Sequence, residues 1–428
     1  MTPPPAPRSS APAPAAAPSA PAGEDRRPRF GLLPRILVAI VLGILLGLVL
    51  PEAIARVFTT FNGLFSAFLD FLIPLIILGL VAPAIGELGR GAGRMLAATT
   101  GIAYLSTVLC GLFALVVSLT LLPGLLAGAE IASLGNPEDS AIAPYFALEI
   151  PPVFPVMTAL VLAFCVGIGL SFVPRGALHE SFDQFRTIVV RVIEAVIIPL
   201  LPVYIFGMFL GMTMNGQIWT VIRTFLVVVV VVLVMTVLVL LAQYSVAGLA
   251  MRRNPLRMLW TMAPAYMTAL GTSSSAATIP VTAECTRRNG VPAAIGDFVV
   301  PLCATIHLAG STLKITTFAV AIMIVTGMEI QMPVLVGFVL MLGVVMIAAP
   351  GVPGGAIMAA AGVLSSMLGF GEAAVGLMIA SYIAIDSFGT ATNVTGDGAI
   401  AAIMTRLSRG RVAEEATRAS DEVEVHGI

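Results

Sequence analysis

The sequence predicts an all-α polytopic membrane protein with eight transmembrane helices and two re-entrant helical hairpins. Three observations carry that expectation. Of the 428 residues, 58% are hydrophobic and only 11% charged, with a mean hydropathy of +1.02. A soluble domain carries about 25% charged residues, so this chain lacks the polar surface to cover itself with water. Apolar runs long enough to cross about 30 Å of hydrocarbon recur along it, and basic residues gather on alternate loops. The 22 basic and 23 acidic residues nearly cancel, which removes any electrostatic argument for nucleic acid or an acidic partner. Cys110, Cys165, Cys285 and Cys303 have apolar neighbours and no ligand-like spacing, and read as small hydrophobes.

Residues 1–30 are rich in Pro, Ala and Ser, with Arg8, Arg26, Arg27 and Arg29, and read as a disordered cytoplasmic tail. No apolar core adjoins this segment until about Ile36, and no small-residue cleavage site precedes a soluble domain, so it does not read as a secretory signal. Spans follow near 35–55, 61–86, 95–122, 153–173, 184–213 and 220–250. Beyond 250 the pattern changes. Stretches 256–289 and 333–370 are interrupted by Pro, Gly and small polar residues, and full-length candidates lie near 293–325 and 372–405. Arg35 flanks the first span; Arg90 and Arg94, then Arg175 and Arg186, then Arg252, Arg253 and Arg257 mark later loops; Arg406, Arg409 and Arg411 close the last span. The 121–150 stretch carries Glu130, Glu138, Asp139 and Glu149 but no Lys or Arg. Eight crossings with both termini cytoplasmic satisfy every loop except the one holding Arg56. The interrupted stretches then enter and leave on one side, the first opening inward beside Arg287 and Arg288, the second outward. Residues 409–428 read as a charged, solvated cytoplasmic tail.

Interrupted apolar segments in corresponding places of an inverted repeat point to a transport site, because irregular backbone at membrane depth survives only where protein buries it or water reaches it. The pair here is Gly271-Thr272-Ser273-Ser274-Ser275 and Gly351-Val352-Pro353-Gly354-Gly355. The serine run is suited to capping two half-helices, with N–H groups available to an anion; small residues for close helix packing are the alternative reading. In the last span Asp386, Thr390, Asn393 and Asp397 recur at i, i+4, i+7 and i+11, within about 40° of one line on a helix. A carboxylate mid-helix costs about 2.5–3.5 kcal/mol on insertion scales, so two of them imply a cavity, an ion or a partner. Span seven holds Thr305, His307, Gly310, Ser311 and Lys314. Gly310 beside the hydroxyl residues Ser311 and Thr312 suggests a local break with exposed carbonyls. If the helix is continuous, His307, Ser311 and Lys314 share a face. Lys314, the single lysine of the chain, either snorkels to the surface, neutralises Asp386 or Asp397, or stands where a cation would sit.

These residues resemble a known family. Ser273-Ser274-Ser275 followed by Thr278-Ile279-Pro280-Val281-Thr282 is similar to the first hairpin of the dicarboxylate/amino acid:cation symporters, the glutamate-transporter family. Pro301 to Gly310 resembles their unwound seventh helix, Gly351-Val352-Pro353-Gly354 the tip of the second hairpin, and Asn393-Val394-Thr395-Gly396-Asp397 the eighth helix. The resemblance implies a homotrimer. Residues 31–255 would hold mainly scaffold and trimerisation spans, with span three on the transport side, and residues 256–408 a transport core that moves as an elevator. It implies a substrate set of Ser273, Ser274, Ser275, Ser311, Val352, Pro353, Gly354, Asp386, Gly389, Thr390 and Asn393, with the substrate's ammonium on Asp386. It implies sodium as coupling ion, held by backbone carbonyls of Cys303, Thr305 and His307 with Asn393 and Asp397, and no further cofactor.

The chain also departs from the family pattern. Gly389 and Thr272 stand where members that take acidic substrates carry an arginine, so glutamate or aspartate is not expected. His307 and Ala309 replace an Asn and an Asp of the seventh-helix motif, so a sodium site using that Asp should be absent. Asp386-Ser387 with Thr390 is similar to the bacterial serine/threonine branch. The expectation is therefore a sodium-coupled symporter for a small neutral amino acid in a bacterial cytoplasmic membrane. Proton-coupled uptake of an amino acid or dicarboxylate through His307 or Asp397 is the runner-up. An intramembrane hydrolase using Ser274 or Ser275 with Lys314, and a passive channel, are distant alternatives.

Overall fold

The computed structural model describes residues 32–88, 94–127, 142–148, 150–216, 218–349 and 354–425, with side chains as far as residue 408. The expected 1–30 tail, the loop bearing Arg90, most of the acidic 121–150 stretch and the hairpin tip with Val352 and Pro353 lie outside the described residues.

Every regular element among the described residues is helical. α1 (Leu32–Gly47) ends at a glycine with Pro51 just beyond it, the usual stop signal, and α2 (Glu52–Leu88) begins directly after. The run expected as one span over 35–55 is thus divided. Arg56, the exception to the orientation rule, lies in the first turns of α2, 2.7 Å from Glu52 and stacked 5.5 Å over the Tyr145 ring. α3 (Arg94–Leu125), α4 (Val156–Phe172) and α5 (Ala177–Val192) follow, and a π turn over Ile193–Ile197 leads into α6 (Ile198–Met214). That wide turn immediately precedes Pro199, whose missing N–H leaves a carbonyl one turn back without its helical partner. α7 (Ile218–Met251) is the last uninterrupted span of the first half. Trp219 and Trp260, both highly exposed, flank its two ends, as aromatic residues do at membrane interfaces.

The second half is broken. α8 (Pro255–Thr261) and α9 (Ala263–Thr272) face α10 (Ser275–Arg288) across a serine break; α11 (Ala293–Ile306) and α12 (Ala309–Thr326) are separated at His307–Leu308; α13 (Met332–Ile347) and α14 (Gly355–Leu368) flank the hairpin tip. The expected continuous eighth span is instead α15 (Glu372–Ala384) and α16 (Asp386–Val425), bent by 64° at Ile385. Among the described residues, five helical stretches are long and apolar enough to cross a membrane, six if the bent pair is one span. α1 and α4 are apolar but shorter, at 16 and 17 residues.

The α11–α12 window is 89% buried, against 33–61% in the other long apolar helices. It is therefore surrounded by protein, while Leu37, Leu109, Val116, Val230 and Val234 of α1, α3 and α7 point outward, as lipid-facing side chains do. α1 packs on α6 and α2 on α4, whereas α3 and α7 lie against α12 and α16. Span six as well as span three thus abuts the broken-helix core.

Candidate functional site

The four helix breaks meet at one small cavity of about 30 Å³, room for about two water molecules. Its wall takes Ser273 and Ser275 from the first break, Ala304, Thr305 and Leu308 from the second, Ala349, Gly354, Gly355 and Ala356 from the third, and Asp386 from the fourth, with Ser311, Tyr382, Thr390 and Asn393 completing it. The first turns of α10, α12, α14 and α16, the last turns of α11 and α15, and residues just past the ends of α9 and α13 thus border the same space. Helix N-termini bring unsatisfied N–H groups and partial positive charge; C-termini bring free carbonyls and partial negative charge. A cavity lined by both is suited to a small solute with a carboxylate at one end and a cationic group at the other.

Capping accounts for the first two breaks. Ser273 ends α9 in the left-handed region, φ 49°, and its hydroxyl lies 2.8 Å from that of Ser387. Ser274 caps α10, its Oγ accepting from the Ala277 N–H at 3.3 Å; its side chain does not line the cavity. The expected break near Gly310 falls two residues earlier, because the cap comes from another helix: Asn393 Oδ1 on α16 accepts from the N–H groups of Gly310 at 2.7 Å and Ser311 at 3.4 Å. Asn393 Nδ2 donates to Ser311 Oγ at 3.1 Å, and Tyr382 OH donates to the same oxygen at 2.8 Å. A Cβ at Gly310 would come 2.7 Å from both Gly389 O and Thr392 Cβ, so α12 and α16 touch here backbone to backbone. Gly310→Ala is expected to cost about 1–3 kcal/mol by overpacking, read as a lower thermal midpoint of the detergent-solubilised protein; an unchanged midpoint would contradict this contact.

Asp386 does not sit mid-helix. It opens α16, where the positive end of the helix eases the burial of a carboxylate. Its Oδ2 accepts from the Gly354 N–H at 3.1 Å, and its Oδ1 lies 3.4 Å from Lys314 Nζ. Lys314 is fully buried, so it does not snorkel; of the possibilities left open by sequence, it takes the pairing with Asp386. Its ammonium also donates to the carbonyls of Ile385 at 3.3 Å and Asp386 at 3.4 Å and stands 3.8 Å over the Tyr382 ring. Gly389 leaves the space for it, and is not itself on the cavity wall. Since Lys314 turns to Asp386, it makes no dyad with Ser274 or Ser275.

Asp397 and His307 form a second, deeper cluster. His307 Nδ1 lies 2.9 Å from Asp397 Oδ1; on its other side Nε2 lies 3.1 Å from Ser106 Oγ, which accepts from Gln243 Nε2 at 3.0 Å. Both His307 and Asp397 are buried. Because α11 ends at Ile306, His307 is in the break and does not share a helical face with Ser311 and Lys314. Asp397 Oδ2 has no hydrogen-bond partner among the described residues. The end of α11 leaves backbone carbonyls without helical partners, next to the break that holds His307. The Cys303 carbonyl already accepts the His307 N–H at 2.8 Å. No group of three or more His, Cys, Asp or Glu side chains that could hold a metal occurs among the described residues, and the four cysteines are free.

Tyr382, Ser106 and Gln243 are not singled out by sequence. Ser106 and Gln243 carried a usable signal, being isolated polar residues in long apolar spans.

A helical membrane protein whose broken helices converge on a buried carboxylate, an ammonium and free backbone polar groups is built as a transporter. The chain belongs to the sodium:dicarboxylate symporter family, whose sequence profile matches residues 32–407; its members are symporters, not hydrolases. It is 33% identical over 258 residues to human excitatory amino acid transporter 1, a match covering 58% of this chain and 47% of the relative. It is 29% identical over 256 residues to mouse excitatory amino acid transporter 3, covering 58% and 48%. It is 25% identical over 388 residues to the serine/threonine transporter SstT of Acinetobacter baumannii strain AYE, covering 86% and 95%. The chain therefore spans about half the length of the mammalian relatives it matches and nearly all of SstT.

Proposed function

We propose that the protein is a secondary active symporter for a small neutral amino acid, serine- or threonine-like, coupled to sodium and working by an elevator movement in a bacterial cytoplasmic membrane. In this reading α8–α16 form the moving core of two re-entrant hairpins and the seventh and eighth of eight spans, α3 and α7 travel with it, and the remaining helices scaffold a homotrimer with cytoplasmic termini. The observation that carries the reading is the convergence of all four breaks on one cavity. Asp386 receives the substrate's ammonium, the N–H groups at the starts of α10 and α14 and the side chain of Asn393 receive its carboxylate, and Ser275, Ser311 and Thr390 contact its side chain. Lys314 is not on the cavity wall, and its donors face Asp386 and the 385–386 carbonyls, so no cation among the described residues of the wall is available to a second carboxylate. That supports a neutral substrate.

A cavity of about 30 Å³ holds water but no amino acid, so admission requires the Gly354 wall to part from α16. Sodium at Asp397 and the α11 carbonyls favours the closed state when substrate is aboard; a ligand shifts such an equilibrium only by its differential affinity for the two states. The His307 imidazole on Asp397 favours one second reading, in which a proton replaces sodium. Purified protein in liposomes, given a panel of labelled amino acids and dicarboxylates under separately imposed gradients, separates them. Uptake of serine or threonine is expected to collapse when external sodium is replaced by choline at constant pH. Uptake that persists and follows the pH gradient would establish proton coupling, and a best substrate outside the amino acids would overturn the assignment.

A further inference from the structure

Lys314 is the only lysine in the chain and is fully buried, yet the transport reading gives it no contact with substrate. Its placement is specific. Three oxygens, Asp386 Oδ1 and the carbonyls of Ile385 and Asp386, lie within 3.3–3.4 Å of its nitrogen, matching the three donors of an ammonium, and the Tyr382 ring covers it. A Cβ at residue 389 would run into Lys314 Cε and Nζ, so lysine at 314 and glycine at 389 are a matched pair across α12 and α16. The ammonium approaches Asp386 from behind. Asp386 lines the cavity and Lys314 does not, so the carboxylate is neutralised without its open side being blocked. The same carboxylate holds the Gly354 N–H at 3.1 Å, which joins the hairpin wall to the neutral pair.

We propose that Lys314 is a tethered counter-cation: it cancels the charge of Asp386 in the unloaded site, so that the carrier can close and return empty without taking a cation along. The inference rests on Asp386 being the substrate's ammonium site in a moving core. A lone buried carboxylate in a closed site is costly to carry through the bilayer, and taking one partner from a buried ion pair leaves that cost uncompensated. Net uptake requires the empty return, whereas exchange of internal for external substrate runs on the loaded carrier alone. The two modes therefore report separately on the counter-cation.

The test uses full-length protein in liposomes with labelled serine, measured as net uptake into substrate-free vesicles and as exchange against internal serine. Lys314→Met is expected to lower net uptake about tenfold or more while exchange stays within about threefold of wild type. Gly389→Ala, which pushes the flexible lysine head off Asp386 without removing it, should give the same split and serves if Lys314→Met folds poorly. Parallel loss of both modes in monodisperse protein, or no change in either, overturns the proposal. Asp386→Asn in the same assay guards the underlying reading. If that variant exchanges serine like wild type, the substrate assignment fails; if it is inactive and the lysine variants show no split, only the counter-cation role fails. Should the substrate panel select another amino acid, the same comparison is made with it.

Discussion

Asp386→Asn is expected to abolish amino-acid uptake and to weaken substrate binding by at least about a hundredfold. Asparagine keeps the shape, and its side-chain oxygen can still accept from the Gly354 N–H that Asp386 Oδ2 holds at 3.1 Å, so the hairpin contact should survive. The charge does not. The substrate's ammonium would then meet an amide dipole where it had met a carboxylate, and Lys314, fully buried beside it, would become an uncompensated ammonium. Breaking a buried pair on one side costs about 3–5 kcal/mol, and every 1.4 kcal/mol is about tenfold in an equilibrium. Two effects are mixed in that variant, and a double substitution separates them. Asp386→Asn with Lys314→Met removes both charges, restores a neutral interior and should fold, yet still fail to bind serine in equilibrium titration. Near-normal affinity in either variant would refute Asp386 as the ammonium site.

What the amino-acid pattern disclosed and what it concealed divide along one physical line. Features set by local periodicity or capping chemistry were legible. The 100° step of an α-helix puts Asp386, Thr390 and Asn393 on the cavity together, and a serine after a helix end caps the next helix, as Ser274 does. Features set by a partner remote in sequence were not. The bend at Ile385 has no proline or glycine to announce it; its only local mark is Asp386-Ser387, a pair suited to a helix start, inside an otherwise unbroken apolar pattern. With the helix taken as continuous, Tyr382 reads as an ordinary span residue. The seventh-span break was expected at Gly310 because glycine is the visible weak point, whereas the true position follows from Asn393, whose side chain reaches across from α16 to the N–H groups of Gly310 and Ser311. Lys314 is the clearest instance. Its residue type marked it out, but three destinations remained open, and its partner lies 72 residues on. The choice was made by a missing side chain on another helix, since Gly389 leaves the space that the ammonium fills.

That shared space leads to the second large effect. Gly389→Arg, by analogy with relatives that take acidic substrates, would simply add a cation for a second carboxylate. The packing predicts otherwise. Any Cβ at 389 meets Lys314 Cε and Nζ, so the single variant must expel the lysine from Asp386 and seat two cations against one carboxylate in a low-dielectric site. It is expected to lose serine uptake and to gain none for aspartate. Removing the lysine first reverses the outcome. In Lys314→Met with Gly389→Arg the cation returns from α16 with a planar, bidentate donor set suited to a carboxylate, and preference should move from serine toward aspartate by about tenfold or more. Competition of unlabelled aspartate against labelled serine, with direct aspartate uptake alongside, reads the change. If the single variant gains aspartate as well as the double, Lys314 does not hold that space and specificity is set elsewhere. If the double alone gains it, positions 314 and 389 hold one cation between them: placed on α12 it balances the site's own carboxylate, and placed on α16 it answers the substrate's.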